Sequence, residues 1–147
     1  MEKSDLLFLI KTLDKKLRDD FTERLMDNGL TAQEGHVLFF ISCKTKYHHV
    51  EVHQNDIENE FKLSKSTVSD LVKRMERKQL IIKTVKKPYA NLTLTETAIN
   101  KIEAVRNKRT ETIEKLFKGF TEEDKDQVLN LVKRLINNME GNYEGKN

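Results

Sequence analysis

The stretch that decides the fold is "LSKSTVSDLVKRMERKQLI", residues 63–81. Its first turn is rich in small hydroxyl side chains, which favour the start of a helix over its interior, and Ser64 is the predicted N-cap. The apolar residues that follow recur at helical spacing and predict one buried face: Val68, Leu71, Val72 and Met75. The stretch therefore predicts an amphipathic helix that begins with hydroxyls and ends with cations.

The positive charge of the chain is concentrated around this helix. From Lys62 to Lys87 there are nine Lys or Arg residues and two acidic ones, although the net charge of the whole chain is only +3. A cationic patch on an otherwise acidic chain is typical of a nucleic-acid-binding surface. The solvated basic face of an ordinary helix is the alternative, and charge alone does not decide between the two.

The composition indicates a helix-rich chain. The 147 residues include one proline, five glycines and no tryptophan, and 35% are charged, which disfavours an all-β fold. The apolar run from Leu6 to Ile10 is too short to cross a membrane. A single cysteine, Cys43, excludes an internal disulfide and fits a reducing compartment. We therefore expect a cytoplasmic protein with no membrane partner and no cofactor.

Helices are also predicted before the quoted stretch. Apolar residues repeat at spacings of three and four over residues 4–27, which predicts a long first helix. Thr31 and Glu34 have the spacing of a capping box and predict the start of a second helix. A short strand is expected at 50–52, and "HQNDIENEF" predicts a short helix just before the quoted one.

After the quoted stretch the hydrophobic period changes to two. "IIKTV" and "NLTLT" are separated by "KKPYA", which predicts a β-hairpin with a basic tip. Thr95 is expected to cap one long helix that Gly119 ends, and Thr121 caps a last helix whose tail frays from Gly141. A short helix, a turn, a second helix and a hairpin form a winged helix-turn-helix, whose second helix enters the DNA major groove. The predicted fold is mainly α with a small β-hairpin.

Four segments together resemble the MarR (multiple-antibiotic-resistance regulator) family of bacterial winged-helix regulators: "LTAQEGHVLFFI", "QNDIENEF", the quoted stretch and "LTLTETA". The resemblance implies a homodimer whose first and last helices interlock and which represses by binding a pseudo-palindromic DNA operator. It further implies release of the operator when a small-molecule effector or oxidant acts on the dimer. The implied organisation is a single MarR-like domain over 1–147: dimerisation helices at 4–30 and 96–140, a winged helix-turn-helix at 31–95, and a wing at 81–95.

Several side chains are candidates for DNA contact. At 100° per residue, Ser66, Lys73 and Arg77 lie opposite the apolar face of the quoted helix. The resemblance assigns base-edge contacts to the start of that helix: Ser64, Lys65, Ser66 and Thr67. It assigns further groove or backbone contacts along the same helix and at the start of the preceding one: Ser69, Lys73, Arg74, Gln54 and Asn55. Hydroxyls can bond to base edges or phosphates, whereas Lys and Arg supply phosphate contacts.

The predicted wing departs from the family pattern. Family wings carry an Asp-x-Arg element seven residues before the final threonine of "LxLT", and here those two positions are Lys86 and Pro88. The arginine that reaches the minor groove is therefore missing. We expect Lys86 and Lys87 to attract phosphate, with a weaker contribution from the wing than is usual in the family.

Other residues raise regulatory alternatives. The sensing cysteines of the family lie in the first helix, so Cys43 is expected to be buried and unreactive. The histidines lack a zinc-site spacing, so no metal is expected, whereas His36 in "EGHVL" resembles effector-pocket positions of multidrug-binding relatives. No phosphate loop, HExxH, CxxC or nucleophile elbow occurs, so we predict that the chain is not an enzyme. A winged-helix adaptor for another protein and a zinc- or redox-sensing regulator remain the rival hypotheses.

Overall fold

The computed structural model describes residues 2–141 and consists of seven helices and three strands over that range. Their bounds are α1 (Asp5–Asp27), α2 (Ala32–Lys46), β1 (Val52–His53), α3 (Gln54–Phe61), α4 (Lys65–Arg77), β2 (Ile81–Lys86), β3 (Tyr89–Leu94), α5 (Glu96–Asn107), α6 (Arg109–Leu116) and α7 (Glu122–Met139). This order confirms the predicted fold class. The chain divides into two compact units, one up to Lys108 and one from Arg109 onward. A single domain over 1–147 stays a prediction.

Side-chain caps begin four of the helices, as the sequence predicted. The Thr31 hydroxyl accepts a hydrogen bond from the Glu34 backbone N–H at 3.1 Å, and the Glu34 carboxylate accepts one from the Thr31 N–H at 2.9 Å. Thr121 and Asp124 repeat this capping box at the start of α7. Ser64 and Thr95 cap α4 and α5. Each cap satisfies backbone donors that the first turn of a helix cannot pair.

The core of the first unit combines apolar residues of α4 with apolar residues of α2, α3, α5 and the sheet. The four apolar residues predicted for the buried face of α4 are all within it: Val68, Leu71, Val72 and Met75. α1 joins through Leu25, which lies over Gly35 of α2. A Cβ atom at residue 35 would lie 2.9 Å from Cγ of Leu25, so only glycine allows this approach of the two helices.

The three strands form an antiparallel sheet in the order β1-β3-β2. Ile81 pairs with Leu94 and Lys86 with Tyr89, which confirms the predicted hairpin, here called the wing (residues 81–94). Val52 of β1 pairs with Leu92, so the wing is also joined to the segment that precedes α3. The short strand predicted at 50–52 lies at Val52–His53 instead.

The helices after the wing differ from the predicted ones. The long helix predicted from Thr95 to Gly119 is wrong, because α5 ends at Asn107 and α6 begins at Arg109. No glycine or proline marks this break, and the only local sign is the low helix propensity of Asn107. The fraying tail predicted after Gly141 lies outside the described residues. Between residues 2 and 141 no helix is long and apolar enough to cross a membrane.

Candidate nucleic-acid interface

The N-terminal turn of α4 is an exposed cluster of hydroxyl groups. The Ser64 hydroxyl accepts a hydrogen bond from the Thr67 backbone N–H at 3.2 Å and donates one to the Thr67 hydroxyl at 2.8 Å. The Ser66 hydroxyl lies 3.3 Å from that of Ser64. Ser64, Lys65, Ser66 and Thr67 are all exposed, so the four side chains predicted to read bases lie together at one accessible helix end. The predicted cap is confirmed, whereas base contact stays a prediction.

Cations continue along the exposed side of α4. Lys73 and Arg77 are exposed, and Ser69 is half-buried between them and the hydroxyl turn. Within residues 2–141, Lys65, Lys73 and Arg77 form no ion pair with a carboxylate. Their charge is therefore available to an external anion such as a phosphate.

The remaining cations at the end of α4 are paired with a carboxylate of α2. Nζ of Lys78 donates to Oε1 of Glu34 at 2.8 Å, and Nε of Arg74 lies 3.8 Å from Oε2. Nη2 of Arg74 also donates to the side-chain oxygen of Gln33 at 3.4 Å. Arg74, predicted to face the DNA backbone, thus has its partners on α2, although 44% of its side chain is exposed.

Glu34 itself is fully buried. Burial would raise the pKa of its carboxyl group, but hydrogen bonds from Lys78 and from the Thr31 backbone outweigh burial and lower the pKa below its ordinary value of 4.5. The carboxylate is therefore charged at neutral pH. The sequence predicts one function of Glu34, because its spacing from Thr31 is that of a capping box. It does not predict the two cations that surround the carboxylate.

The start of α3 lies at the end of the short strand β1. Asn55 is exposed and Gln54 is half-buried. The His53 backbone N–H donates to the Asp56 carboxylate at 2.8 Å, which satisfies a donor that would otherwise be free at the helix start. Asn55 is thus the more accessible of the two side chains predicted to lie against the phosphate backbone.

The two lysines at the tip of the wing differ in their partners. Nζ of Lys86 donates to the Glu51 carboxylate at 3.1 Å, and this hydrogen bond together with the lysine charge lowers the pKa of Glu51. A second contact between the wing and the segment before α3 is the stacking of the His53 ring on the Tyr89 ring, with ring centroids 5.1 Å apart. Lys87 is exposed and has no carboxylate partner within residues 2–141. Of the two predicted contacts, Lys87 is the one whose charge is available.

Residues 28–86 match the family model described as "MarR family". Over this segment the chain is similar to the winged helix-turn-helix of that family. The matched segment contains α2, α3, α4 and β2, and therefore every predicted contact on α3 and α4.

Solved structures show the same fold. MepR of Staphylococcus aureus, a transcription regulator of the multidrug efflux pump MepA, is 23% identical, with 95% of this chain and 99% of that chain covered and a TM-score of 0.80. A MepR–DNA complex has 23% identity, 95% and 98% coverage and a TM-score of 0.65. A MarR regulator from Oenococcus oeni PSU-1 has 24% identity, 90% and 98% coverage and a TM-score of 0.59. No curated protein sequence matches the chain.

A cavity of about 370 Å³ opens beside the wing. It lies among α2, β3 and α5 and is lined by Ser42, Thr45, Lys46, Thr93, Leu94, Ile99, Ile102 and Glu103. His36, the predicted pocket residue, is not part of this lining; it is exposed and stacks on Phe21 with centroids 5.7 Å apart. The pocket function of His36 stays a prediction.

The expectation that Cys43 is buried is wrong. The thiol is exposed near the C-terminal end of α2. The apolar residues of α2 that enter the core are Val37, Leu38 and Ile41, and residue 43 is two positions, or about 200° of rotation, beyond the last of them. No group of three or more His, Cys, Asp or Glu side chains within residues 2–141 could hold a metal ion.

Proposed function

We propose that the chain is a MarR-type transcription regulator, a ligand-responsive repressor that binds a pseudo-palindromic operator as a homodimer, with residues 64–77 of each copy in the major groove. The observation that carries the proposal is the exposed hydroxyl turn of α4, held to the core by four buried apolar residues and continued by cations that have no carboxylate partner within residues 2–141. The turn is narrow enough to approach base edges, and the cations then follow the phosphate backbone.

Within α4, base reading and phosphate attraction fall to different residues. The Thr67 hydroxyl accepts from Ser64, which leaves its own hydrogen free to donate to a base acceptor. Lys73 and Arg77 are exposed further along α4, beyond the hydroxyl turn, and their charge attracts phosphates, so they contribute affinity that is independent of sequence.

Exposed apolar surfaces support the proposal that the chain forms a homodimer. Several leucine, isoleucine and phenylalanine side chains of α1 are more than a third exposed: Leu6, Leu7, Phe8, Leu9, Ile10, Leu13 and Leu17. The apolar face predicted for α7 is likewise exposed: Val128, Leu131, Val132, Leu135, Ile136 and Met139. Contiguous apolar surface of this kind marks an interaction site, and a second copy supplies chemically matching surfaces.

The cavity beside α5 supports the proposal that a small-molecule effector binds the chain. Its lining combines apolar side chains such as Leu94 and Ile102 with Lys46 and with Glu103, whose carboxylate is paired with Arg106 at 2.9 Å, so it suits a compound with an apolar body and a polar group. α5 and β3 both contribute to it, and β3 belongs to the wing. A ligand that binds one arrangement of these elements better than another shifts the spacing of the two recognition helices away from the roughly 34–36 Å that operator half-sites require.

Selection of bound duplexes from a random pool tests the proposal, followed by affinity measurements on the selected and a scrambled duplex. We expect an inverted-repeat sequence and a log–log salt slope of several. Thr67→Val should change the preference between duplexes, whereas Lys73→Ala should weaken both by a similar factor. No enrichment, or binding that does not respond to salt, would contradict DNA binding and favour a protein-interaction adaptor. Uniform weakening by Thr67→Val would contradict base reading by that residue.

A further inference from the structure

The buried Glu34 carboxylate joins the start of α2 to the end of the recognition helix α4. Its Oε1 atom accepts hydrogen bonds from the Thr31 backbone N–H at 2.9 Å and from Nζ of Lys78 at 2.8 Å. Its Oε2 atom is buried without a hydrogen-bond partner and has Nε of Arg74 at 3.8 Å. One carboxylate therefore completes a helix cap and faces two cations from the neighbouring element.

This arrangement is a constraint on α4. A carboxylate removed from water is strongly destabilising unless cations and hydrogen-bond donors surround it. Both cations come from the last turn of α4 and the residue that follows it, four positions apart. Moving the C-terminal end of α4 away from α2 would leave the buried Glu34 charge unpaired. The free-energy cost of that change keeps the end of α4 close to α2.

The opposite end of α4 is the hydroxyl turn proposed to read bases. α4 has 13 residues, so its two ends are about 20 Å apart. A small rotation about the end held by Glu34 therefore displaces Ser66 and Thr67 by a much larger distance than it displaces Arg74. Base contacts tolerate little displacement, because their hydrogen bonds are directional.

We propose that Glu34 is a positioning residue for DNA recognition, and that Arg74 and Lys78 hold α4 against α2 instead of contacting phosphates. The proposal rests on the DNA-binding function proposed above. It divides the cations of α4 into two sets. Lys65, Lys73 and Arg77, which have no carboxylate partner within residues 2–141, set the salt dependence of binding; Arg74 and Lys78 set the angle of the helix.

The first experiment compares neighbouring cations. Affinity of the full chain for the selected operator is measured against salt for wild type, Lys73→Ala and Arg74→Ala. Removing a cation that neutralises one phosphate reduces the log–log slope by about 0.9. We expect that reduction for Lys73→Ala, and less than half of it for Arg74→Ala. A reduction for Arg74→Ala equal to that for Lys73→Ala would overturn the proposal. Failure of the wild type to bind any duplex would instead contradict the proposed function.

The second experiment measures specificity. Glu34→Gln keeps an oxygen for the helix cap but removes the charge that faces Arg74 and Lys78. At a temperature where unfolding curves show the variant to be folded, we expect about a tenfold loss of affinity for the operator, with unchanged affinity for a scrambled duplex. Lys78→Gln provides a second variant with the same expectation, should Glu34→Gln not fold. An unchanged ratio of operator to scrambled affinity in a folded variant would overturn the positioning role.

Discussion

Lys86 and Glu51 form an ion pair that joins the tip of the wing to the residue before β1, with Nζ of Lys86 3.1 Å from Oε1 of Glu51. Lys87, the next residue, has no such partner within residues 2–141. Two adjacent lysines of one basic tip are therefore not equivalent, and their contributions to DNA binding should differ.

Lys87→Ala should reduce the log–log salt slope of duplex binding by about 0.9, the effect of leaving one phosphate without its cation. Lys86→Ala should have a smaller effect on the slope, because its charge is already partly compensated by Glu51. Titrations of both variants on one duplex at several salt concentrations measure the difference. Equal slopes for the two variants would contradict the distinction, and a double alanine variant with the wild-type slope would show that the wing tip does not touch DNA.

Glu34 predicts a pH dependence of stability. Its pKa in the folded chain is lowered below the ordinary value of 4.5. A carboxyl group with a lowered pKa contributes stability that is fully present above its unfolded pKa and is lost as pH falls toward the folded pKa. The excess stability of wild type over Glu34→Gln should therefore be constant near neutral pH and shrink below about pH 4.5. Urea unfolding at intervals from about pH 7 to pH 3.5 measures it; a difference that grows on acidification would contradict the pairing with Lys78.

Gln79→Gly should stabilise the chain. Gln79 follows the end of α4 with a left-handed φ of 58°, and the hydrogen bonds Gln79 N–H to Glu76 C=O and Leu80 N–H to Met75 C=O form a Schellman motif. A side chain in this conformation costs about 1 kcal/mol relative to glycine. We expect a gain of about that size in the free energy of unfolding from urea denaturation. Gln79→Ala, which keeps a Cβ atom, is the matched control and should show no such gain.

Gly35→Ala should destabilise the chain by about 1–3 kcal/mol, the usual cost of overpacking. The added methyl group would overlap the side chain of Leu25, which is itself fully buried. Combining Gly35→Ala with Leu25→Ala should cost less than the sum of the two single changes, because the shortened side chain leaves room for the methyl group. Additive costs in urea denaturation would show that the two residues do not meet.

If the apolar face of α7 lies in the dimer interface, a charged residue introduced on that face should weaken the homodimer. Leu135→Arg places a cation among exposed apolar residues of that helix, whereas Asn130→Arg adds the same charge outside the apolar repeat. We expect Leu135→Arg to weaken self-association in sedimentation equilibrium and to reduce operator affinity more than Asn130→Arg does. A wild-type chain that sediments as a monomer at all concentrations would contradict the proposed dimer.

Local features were predictable from the sequence because their causes are local. The caps at Thr31, Ser64 and Thr121, the buried face of α4 and the alternation of the wing all depend on residues within a few positions of one another. Pairing across elements was not predictable in this way. Glu34 and Lys78 are 44 positions apart, and Glu51 and Lys86 are 35 apart, so nothing in their spacing connects them.

Two errors have different physical origins. The break between α5 and α6 lacks a glycine or proline, so the helical periodicity continued through it and predicted one helix. The exposure of Cys43 does not follow from the overall apolar character of α2, because residue 43 lies away from the buried residues of that helix. The resemblance correctly predicted the winged-helix fold, but it could not show that Arg74 has its partners on α2.

The exposure of Cys43 has a practical value that is independent of oxidation. Because it is the single cysteine of the chain, a thiol-reactive spin label or fluorophore would attach at one defined position near the end of α2 without any other substitution. When two labelled copies occupy one duplex, a pulsed dipolar measurement would report the separation of their α2 helices. Repeating the measurement with candidate compounds would show directly whether a compound changes the spacing between subunits.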